Sequence, residues 1–230
     1  MIVLGYAVLA YAAFLSSTAW SIWFLAGPID DPASRPAGIS LVIDGALLML
    51  FAVQHTVMAR AGFKKRLTRL IPEAAERSTF VLAASLTQFA LLLWWQPVPH
   101  VLWQVSGLLW VVYAAGWALA IWSTYLIDHA DLVGLKQAWR HLRGQEYHPP
   151  EFRAPWLYRW CRHPMMLGLV IAFWATPTMS VGHLFFALAG TGYILIGIRF
   201  EERDLRARFG ADYQQYAKRV PSIVPGPIRR

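Results

Sequence analysis

Long uncharged stretches separated by short polar segments dominate the chain. Met1 to Ala26 contains no charged side chain, and a helix of this length, rising roughly 1.5 Å per residue, can cross a hydrocarbon core of about 30 Å. The stretches Ile39 to Ala59, Ser78 to Pro99 and Trp103 to Ile127 repeat the pattern, and Asp44 is the one formal charge within them. The pattern therefore predicts four membrane-spanning helices.

A fifth uncharged stretch, Pro164 to Ile198, is too long for one crossing because it would make about 52 Å of helix. The polar segment Thr176 to Ser180, which contains Pro177, interrupts it. We therefore expect a helical hairpin with a short arm from Met165 to Ala175 and a full arm from Val181 to Phe200.

The polar segment before this hairpin has apolar residues at helical spacing. The spacing predicts an amphipathic helix from Asp131 to Arg143 that lies on the membrane surface. The apolar positions are Leu132, Leu135, Trp139 and Leu142.

Together these elements predict an all-α integral membrane protein with about six transmembrane segments, the hairpin counting as two. We expect a single membrane domain. Its parts are four scaffold spans (1–127), a surface helix and loop (128–163), the hairpin (164–200) and a tail that completes a site (201–230).

Composition supports a membrane protein, since 57% of the residues are hydrophobic and the mean hydropathy is +0.40. The single cysteine, Cys161, argues against a disulfide framework and is interpreted as a small apolar filler. The sequence has no Cys/His pair at metal-ligand spacing, so we expect no metal.

The net charge of +8 favours an anionic membrane surface over nucleic acid as a partner, because the basic residues are scattered through loops beside apolar stretches. Twenty of the 21 Lys and Arg residues lie in the segments 59–79, 128–163 and 199–230. The positive-inside rule places these segments, and with them both termini, in the cytoplasm.

Polar groups lie at the predicted cytoplasmic ends of several helices, and bundle sites are built from side chains on such facing helices. The simpler reading is that they are only the solvated ends of helices. The groups are Gln54-His55, Asp128-His129-Asp131, Arg162-His163 and Glu201-Glu202.

The side chains of Arg162-His163 and Glu201-Glu202 could together bind a small zwitterion. The fork of Arg162 matches a carboxylate, His163 adds a donor or acceptor, and a glutamate can pair with an ammonium or sulfonium. Proline is favourable at the first helical position, and glycine permits close approach. The residues assigned to this site are Arg162, His163, Pro164, Gly168, Glu201 and Glu202.

This C-terminal pattern resembles the cofactor-binding region of the isoprenylcysteine carboxyl methyltransferase and phospholipid methyltransferase superfamily. The residues that carry the resemblance are Arg162 to Gly168, Glu201 to Leu205, Phe209-Gly210, Tyr213, Tyr216, Val220-Pro221 and Ile223 to Pro225. The chain is more similar still to the nurim/NnrU branch and, within it, to the methanethiol S-methyltransferases of bacteria. That similarity rests on residues 54–60, 76–79, 131–135 and 173–179.

The resemblance implies a membrane methyltransferase that uses S-adenosylmethionine, with His163 and Glu201-Glu202 at family cofactor-contact positions. Met166 departs from the family, which often has Tyr there, so a hydrogen bond from that phenol is absent. The implied reaction methylates a small thiol, above all methanethiol to dimethyl sulfide, in a bacterial inner membrane with the site facing the cytoplasm.

Such a reaction needs a base for the thiol, since the thiolate is the nucleophile. By residue type and placement, His129 and His55 are the candidates, with Asp131 as an orienting partner. Small thiols and membrane lipids are the expected partners.

Three alternatives remain open. The chain could be an isoprenylcysteine carboxyl or phospholipid methyltransferase, which needs a lipid-borne acceptor, or a non-enzymatic membrane accessory protein of the nurim/NnrU kind. A proton- or ion-coupled transporter that uses Asp44 has less support, because one intramembrane carboxylate makes a poor pathway.

Overall fold

A computed structural model describes residues 1–224 and is mostly helical. Two short 3-10 helices, Pro28–Asp30 and Trp156–Arg159, and two short strands, β1 (Val101–Gln104) and β2 (Thr178–Ser180), lie between the helices. The α-helices in the described residues are α1 (Ile2–Ala26), α2 (Ala37–Ala59), α3 (Ala61–Leu67), α4 (Glu73–Trp94), α5 (Leu109–Ile127), α6 (His129–Leu132), α7 (Leu135–Leu142), α8 (Pro164–Trp174) and α9 (Val181–Arg219). Pro225, part of the predicted C-terminal motif, lies outside the described residues.

Within residues 1–224, five helices are long and apolar enough to cross a membrane: α1, α2, α4, α5 and α9. They confirm the prediction of a multi-pass membrane protein. The eleven-residue α8 is the predicted short arm of the hairpin, and it is apolar but shorter than a full crossing.

Several predicted boundaries were wrong. Helix α4 begins at Glu73 and not at Ser78, because Pro72 precedes it and acidic residues occupy its first turn. Ser78 is a buried residue inside the helix. Helix α5 begins at Leu109 because residues 101–104 form β1, which pairs with β2 in a two-stranded sheet.

Helix α9 also differs from the prediction, since it continues past Phe200 to Arg219. Residues 201–219 of the predicted tail are therefore helical. The backbone bends inside this helix at Gly210, whose φ of 55° and ψ of −125° are not helical.

The described residues form two compact units. The first contains residues 1–100, 129–148 and 180–183, and the second contains 101–128, 149–179 and the described residues from 184 onward.

In the first unit, α1, α2 and α7 pack against α4. Hydrogen bonds between apolar helices reinforce this packing, because a polar group without a partner is costly in hydrocarbon. Gln88 of α4 donates to the Ser21 hydroxyl of α1 at 2.7 Å, and Thr87 donates to the Gln54 side chain of α2 at 3.1 Å.

Asp44 of α2 is fully buried, and its Oδ1 accepts a hydrogen bond from the Gln96 backbone at 2.8 Å. Asp44 therefore anchors the segment that follows α4.

The predicted surface helix from Asp131 to Arg143 is broken into α6 and α7 at Gly134, whose φ is +87°. A Cβ at this position would lie 2.5 Å from the Ser78 hydroxyl, so only glycine fits both the backbone and the space. The break turns α7 back so that it packs against α1 and α4.

In the second unit, α5 and α8 cross closely at small residues. A Cβ on Gly168 would lie 2.5 Å from the Ala120 backbone nitrogen, and one on Gly116 would lie 2.8 Å from the Gly168 carbonyl oxygen. The Trp174 indole of α8 also donates to the Thr191 hydroxyl of α9 at 2.9 Å. These contacts hold α8 between its two neighbours in the unit.

Candidate functional site

A buried carboxylate, Glu202, organises the polar cluster of the second unit. Its Oε1 accepts hydrogen bonds from the Arg162 Nε at 2.6 Å and the Tyr213 hydroxyl at 3.1 Å, and lies 3.1 Å from the His163 Nε2. Its Oε2 accepts a hydrogen bond from Arg206 at 2.9 Å. Only 6% of Glu202 is exposed, so its partners replace water around both oxygens.

The bend at Gly210 brings Tyr213 back to Glu202. A φ of 55° is left-handed backbone, which glycine adopts without steric cost, so the chain can reverse here. Tyr213 is 2% exposed and packs edge-on against the rings of Phe152 and Tyr216. This aromatic packing fixes the phenol that bonds Glu202.

The C-terminal end of α9 and the segment after it bind the predicted Arg-His pair. The Arg162 Nη1 donates to the Ala217 carbonyl at 2.8 Å. The backbone N–H groups of Arg162 and His163 donate to the carbonyls of Pro221 and Ser222 at 3.0 and 3.1 Å. Arg162 therefore caps a helix end and pairs with Glu202, and these contacts occupy much of its guanidinium.

His163 lies between the two predicted glutamates. It is 5% exposed, with Nδ1 3.4 Å from the Glu201 Oε2 and Nε2 3.1 Å from the Glu202 Oε1. Burial by itself lowers the pKa of His163, but the hydrogen bonds and charges of both glutamates outweigh it and raise that pKa above 6.5. The side chain of Glu201 remains 47% exposed.

Pro164 and Gly168 have clear structural roles in α8. Pro164 is the first residue of the helix, as predicted, where its missing N–H costs nothing. Gly168 uses its small size to pack against α5, as the fold shows. Their contact with a cofactor stays a prediction.

Cys161 is buried and packs as the predicted filler. Its Sγ lies 2.9 Å from the Ile223 carbonyl oxygen, and burial raises the pKa of the thiol. A thiol in this state is a poor nucleophile.

The first unit contains the predicted acid–base residues. The His129 Nε2 lies 3.1 Å from the Tyr11 hydroxyl, and the rings of Tyr11 and His129 meet edge-on with centroids 5.6 Å apart. The ring of Phe14 also lies close, with its centroid 6.3 Å from that of His129. Burial lowers the pKa of His129, which favours the neutral imidazole.

Asp131 lies two residues further along α6. Its Oδ1 accepts hydrogen bonds from the Tyr147 hydroxyl at 2.7 Å and the Gln137 amide at 3.3 Å. The guanidinium of Arg77 donates to the Leu132 carbonyl at 2.7 Å and so holds this segment against α4. The orienting role of Asp131 towards His129 stays a prediction.

His55 packs among aromatic rings within the first unit. Its ring centroid lies 5.5 Å from that of Phe51 and 4.9 Å from that of Phe80. The structure therefore brings Arg162, His163, Glu201 and Glu202 together in one unit. His129, Asp131 and His55 belong to the other.

Sequence reasoning missed three contributors. Tyr213 belonged to the C-terminal motif but had no assigned role, and Arg206 could have been found from its i, i+4 spacing to Glu202. Tyr11 lies in an uncharged span, where neither a charge nor a motif indicates a functional residue. Among residues 1–224, no group of three His, Cys, Asp or Glu side chains could hold a metal ion.

Comparison with known proteins shows the relatives of the chain. Methanethiol S-methyltransferase 2 of Bradyrhizobium diazoefficiens is 46% identical over 232 residues, which cover 97% of this chain and 90% of that protein. Methanethiol S-methyltransferase of Mycobacterium tuberculosis is 43% identical over 234 residues, covering 97% and 96%.

Nurim of Xenopus laevis is more distant, at 30% identity over 205 residues that cover 82% of this chain and 71% of nurim. No family model and no solved structure matches the chain. The sequence identity to the two bacterial enzymes is higher than that to nurim, and it covers nearly the full length of this chain and of each enzyme. The chain therefore belongs to the methanethiol S-methyltransferase family.

Proposed function

We propose that this protein transfers a methyl group from S-adenosylmethionine to methanethiol, forming dimethyl sulfide and S-adenosylhomocysteine and releasing the thiol proton. The observation that carries the proposal is the 43–46% identity to two methanethiol S-methyltransferases along 97% of the chain. Residues of the second unit suit the binding of the methyl donor, and residues of the first unit suit the removal of the thiol proton.

The cluster in the second unit fits the amino-acid end of such a methyl donor. The half-exposed carboxylate of Glu201 contacts His163 through one oxygen, which leaves it able to accept hydrogen bonds from an ammonium group. Both oxygens of Glu202 are occupied by protein donors. We therefore assign the ammonium contact to Glu201, and treat Glu202 and Arg162 as residues that position His163.

When bound, S-adenosylmethionine supplies a methyl carbon that its sulfonium already makes electrophilic. The protein then has two tasks, to align the reactants and to exclude water. The closely packed helices α5 and α8 provide a rigid frame for the cluster that carries His163.

The acceptor thiol must lose its proton, since the thiolate attacks. His129 is suited to this step, because burial lowers its pKa and keeps the imidazole neutral and able to accept a proton. The contact with Tyr11 fixes the orientation of its ring. His55 is the second candidate base, and Asp131 the candidate orienting residue.

We place the site on the cytoplasmic side of a bacterial inner membrane, with both termini in the cytoplasm. The support is the distribution of Lys and Arg, since the segments 59–79, 128–163 and 199–230 hold all but one of them. With α8 and α9 forming a hairpin, the number of membrane segments is six.

The test is headspace detection of labelled dimethyl sulfide from membranes given methanethiol and methyl-labelled S-adenosylmethionine. We expect product from the wild type and from His148→Ala, an exposed histidine that serves as the matched control. We expect no product from His163→Ala.

Two other results would redirect the assignment. Cofactor binding without volatile product, together with methylation of a lipid-borne amine or carboxylate, would favour an isoprenylcysteine carboxyl or phospholipid methyltransferase. A correctly inserted protein that binds no S-adenosylmethionine would favour a non-enzymatic accessory protein.

A further inference from the structure

An open cleft of about 370 Å³ lies beside α9, where the uncharged part of this helix ends. Three guanidinium groups line it together with one carboxylate, one apolar residue and one serine. The lining residues are Arg162, Ile198, Arg199, Glu202, Arg206 and Ser222.

The cleft carries unused positive charge. The Glu202 carboxylate is already bonded on both oxygens, and it offsets only one of the three arginines. Arg199 is exposed and has no hydrogen bond or ion pair within residues 1–224. Arg206 is half exposed and bonds Glu202 through Nη2. The charge and the spare donors suit an anion with several oxygens, such as a phosphate.

This cleft is distinct from the position that we assign to the donor ammonium. At 3.6 residues per turn, Arg199 and Glu201 point about 200° apart around α9, and so lie on nearly opposite faces. Arg199 and Arg206 are seven residues apart and lie on one face. An anion held by Arg199 and Arg206 therefore does not occupy the place of a group bound to Glu201.

An exposed apolar stripe continues from the cleft along the same face of α9. Leu195 and Ile196 lie one turn before Arg199, and 46% and 52% of these residues are exposed. Leu188 is 54% exposed, and Gly192 leaves a gap between the side chains, because nothing lies within 4 Å of the place where its Cβ would be. Basic residues directly beyond an apolar stripe are what a phospholipid with an anionic headgroup requires.

We infer that this cleft binds the phosphate headgroup of an anionic phospholipid, with Arg199 and Arg206 as its ligands and one acyl chain along the stripe Leu188–Ile196. A free phosphate would use the arginines but not the stripe. Arg206 also bonds Glu202, so the bound lipid lies next to the cluster that positions His163.

The test is a titration of detergent-solubilised protein with phosphatidylglycerol or phosphatidylcholine, with each bound lipid counted by native mass spectrometry. A basic residue near an anionic surface contributes about 1 kcal/mol, so Arg199→Ala should weaken the tightest phosphatidylglycerol site about fivefold. Arg208→Ala is the matched control, since Arg208 lies nine residues after Arg199 on the opposite face of α9, is exposed and donates to the Pro150 carbonyl instead of lining the cleft. It should bind phosphatidylglycerol like the wild type.

Three outcomes would overturn the inference. Wild-type affinity of Arg199→Ala for phosphatidylglycerol would remove the site. Displacement of the lipid by inorganic phosphate at equal concentration would show a site for a free anion. An equal loss of S-adenosylmethionine affinity in Arg199→Ala would assign the cleft to the methyl donor. None of these readouts depends on methylation of a thiol, so the inference and the proposed function can fail separately.

Discussion

Substitution of Glu202 should lower stability, whereas substitution of Glu201 should weaken ligand binding. Both oxygens of Glu202 are occupied by protein donors, and the side chain of Glu201 is half exposed. Glu202→Ala removes the carboxylate that pairs with Arg162 and leaves His163 with Glu201 alone. Removing one partner of a buried ion pair costs about 3–5 kcal/mol, and a protein of this size loses about 2–4 °C in Tm per kcal/mol. We therefore expect the Tm of Glu202→Ala to fall by about 6–20 °C.

Glu201→Gln should lower stability much less, since its side chain is 47% exposed and an exposed ion pair contributes about 0–1 kcal/mol. It should instead weaken S-adenosylmethionine binding, because it removes a charged acceptor for the ammonium group. Gln keeps a neutral acceptor, so the loss is the difference between a charged hydrogen bond, worth about 1.5–3 kcal/mol, and a neutral one, worth about 0.5–1.5 kcal/mol; this corresponds to a Kd about fivefold to tenfold higher.

The assay pairs a thermal unfolding curve with calorimetric titration of S-adenosylmethionine, for both variants in the same detergent. The reasoning would be refuted by a Glu202→Ala protein that unfolds with the wild type. It would equally be refuted by a Glu201→Gln protein that binds the cofactor with wild-type affinity.

Three further predictions concern pH, packing and proton transfer. The folded-state pKa of His163 is raised above its ordinary 6.5, so its contribution to stability is fully present below pH 6.5 and is lost as the pH rises through the raised value. The Tm of the wild type should fall over that range, and His163→Gln should remove this part of the pH dependence. Gly168→Ala should cost about 1–3 kcal/mol of unfolding free energy because its Cβ meets the α5 backbone, whereas Gly192→Ala, with open space, should not destabilise. Tyr11→Phe should leave the Kd of S-adenosylmethionine unchanged but lower the methylation rate and shift its pH profile, since the phenol contacts His129; an unchanged profile would count against His129 as the base.

The membrane helices could be predicted from the sequence because each depends on a local pattern. An uncharged stretch of sufficient length can satisfy its backbone only as a helix in hydrocarbon, so α1 and α2 followed directly. Pro177 marked the break between α8 and α9, because proline has no backbone N–H with which to continue a helix. The strands β1 and β2 were missed because each is only three or four residues long and forms by pairing with the other.

The members of the polar cluster were predictable from the sequence, but their arrangement was not. Arg162, His163, Glu201 and Glu202 were expected to meet, and they do. The different surroundings of Glu201 and Glu202 could not be predicted, because they depend on Tyr213 returning through the bend at Gly210. The approach of Tyr213 to Glu202 depends on contacts between residues that are distant in sequence, and a sequence motif does not show such contacts.

The dependence of the Glu202 cluster on residues after Gly210 also sets an order of events during synthesis. The apolar part of α9 is made before Tyr213, Pro221 and Ser222, so a chain that stops between them can contain all of its apolar helices and still lack the complete cluster. A nascent chain stopped at Phe209 would hold its apolar helices but lack the backbone carbonyls and the phenol that fix Arg162 and His163. The cluster is therefore completed only when the residues after Gly210 have been made, later than the apolar helices that carry its other members.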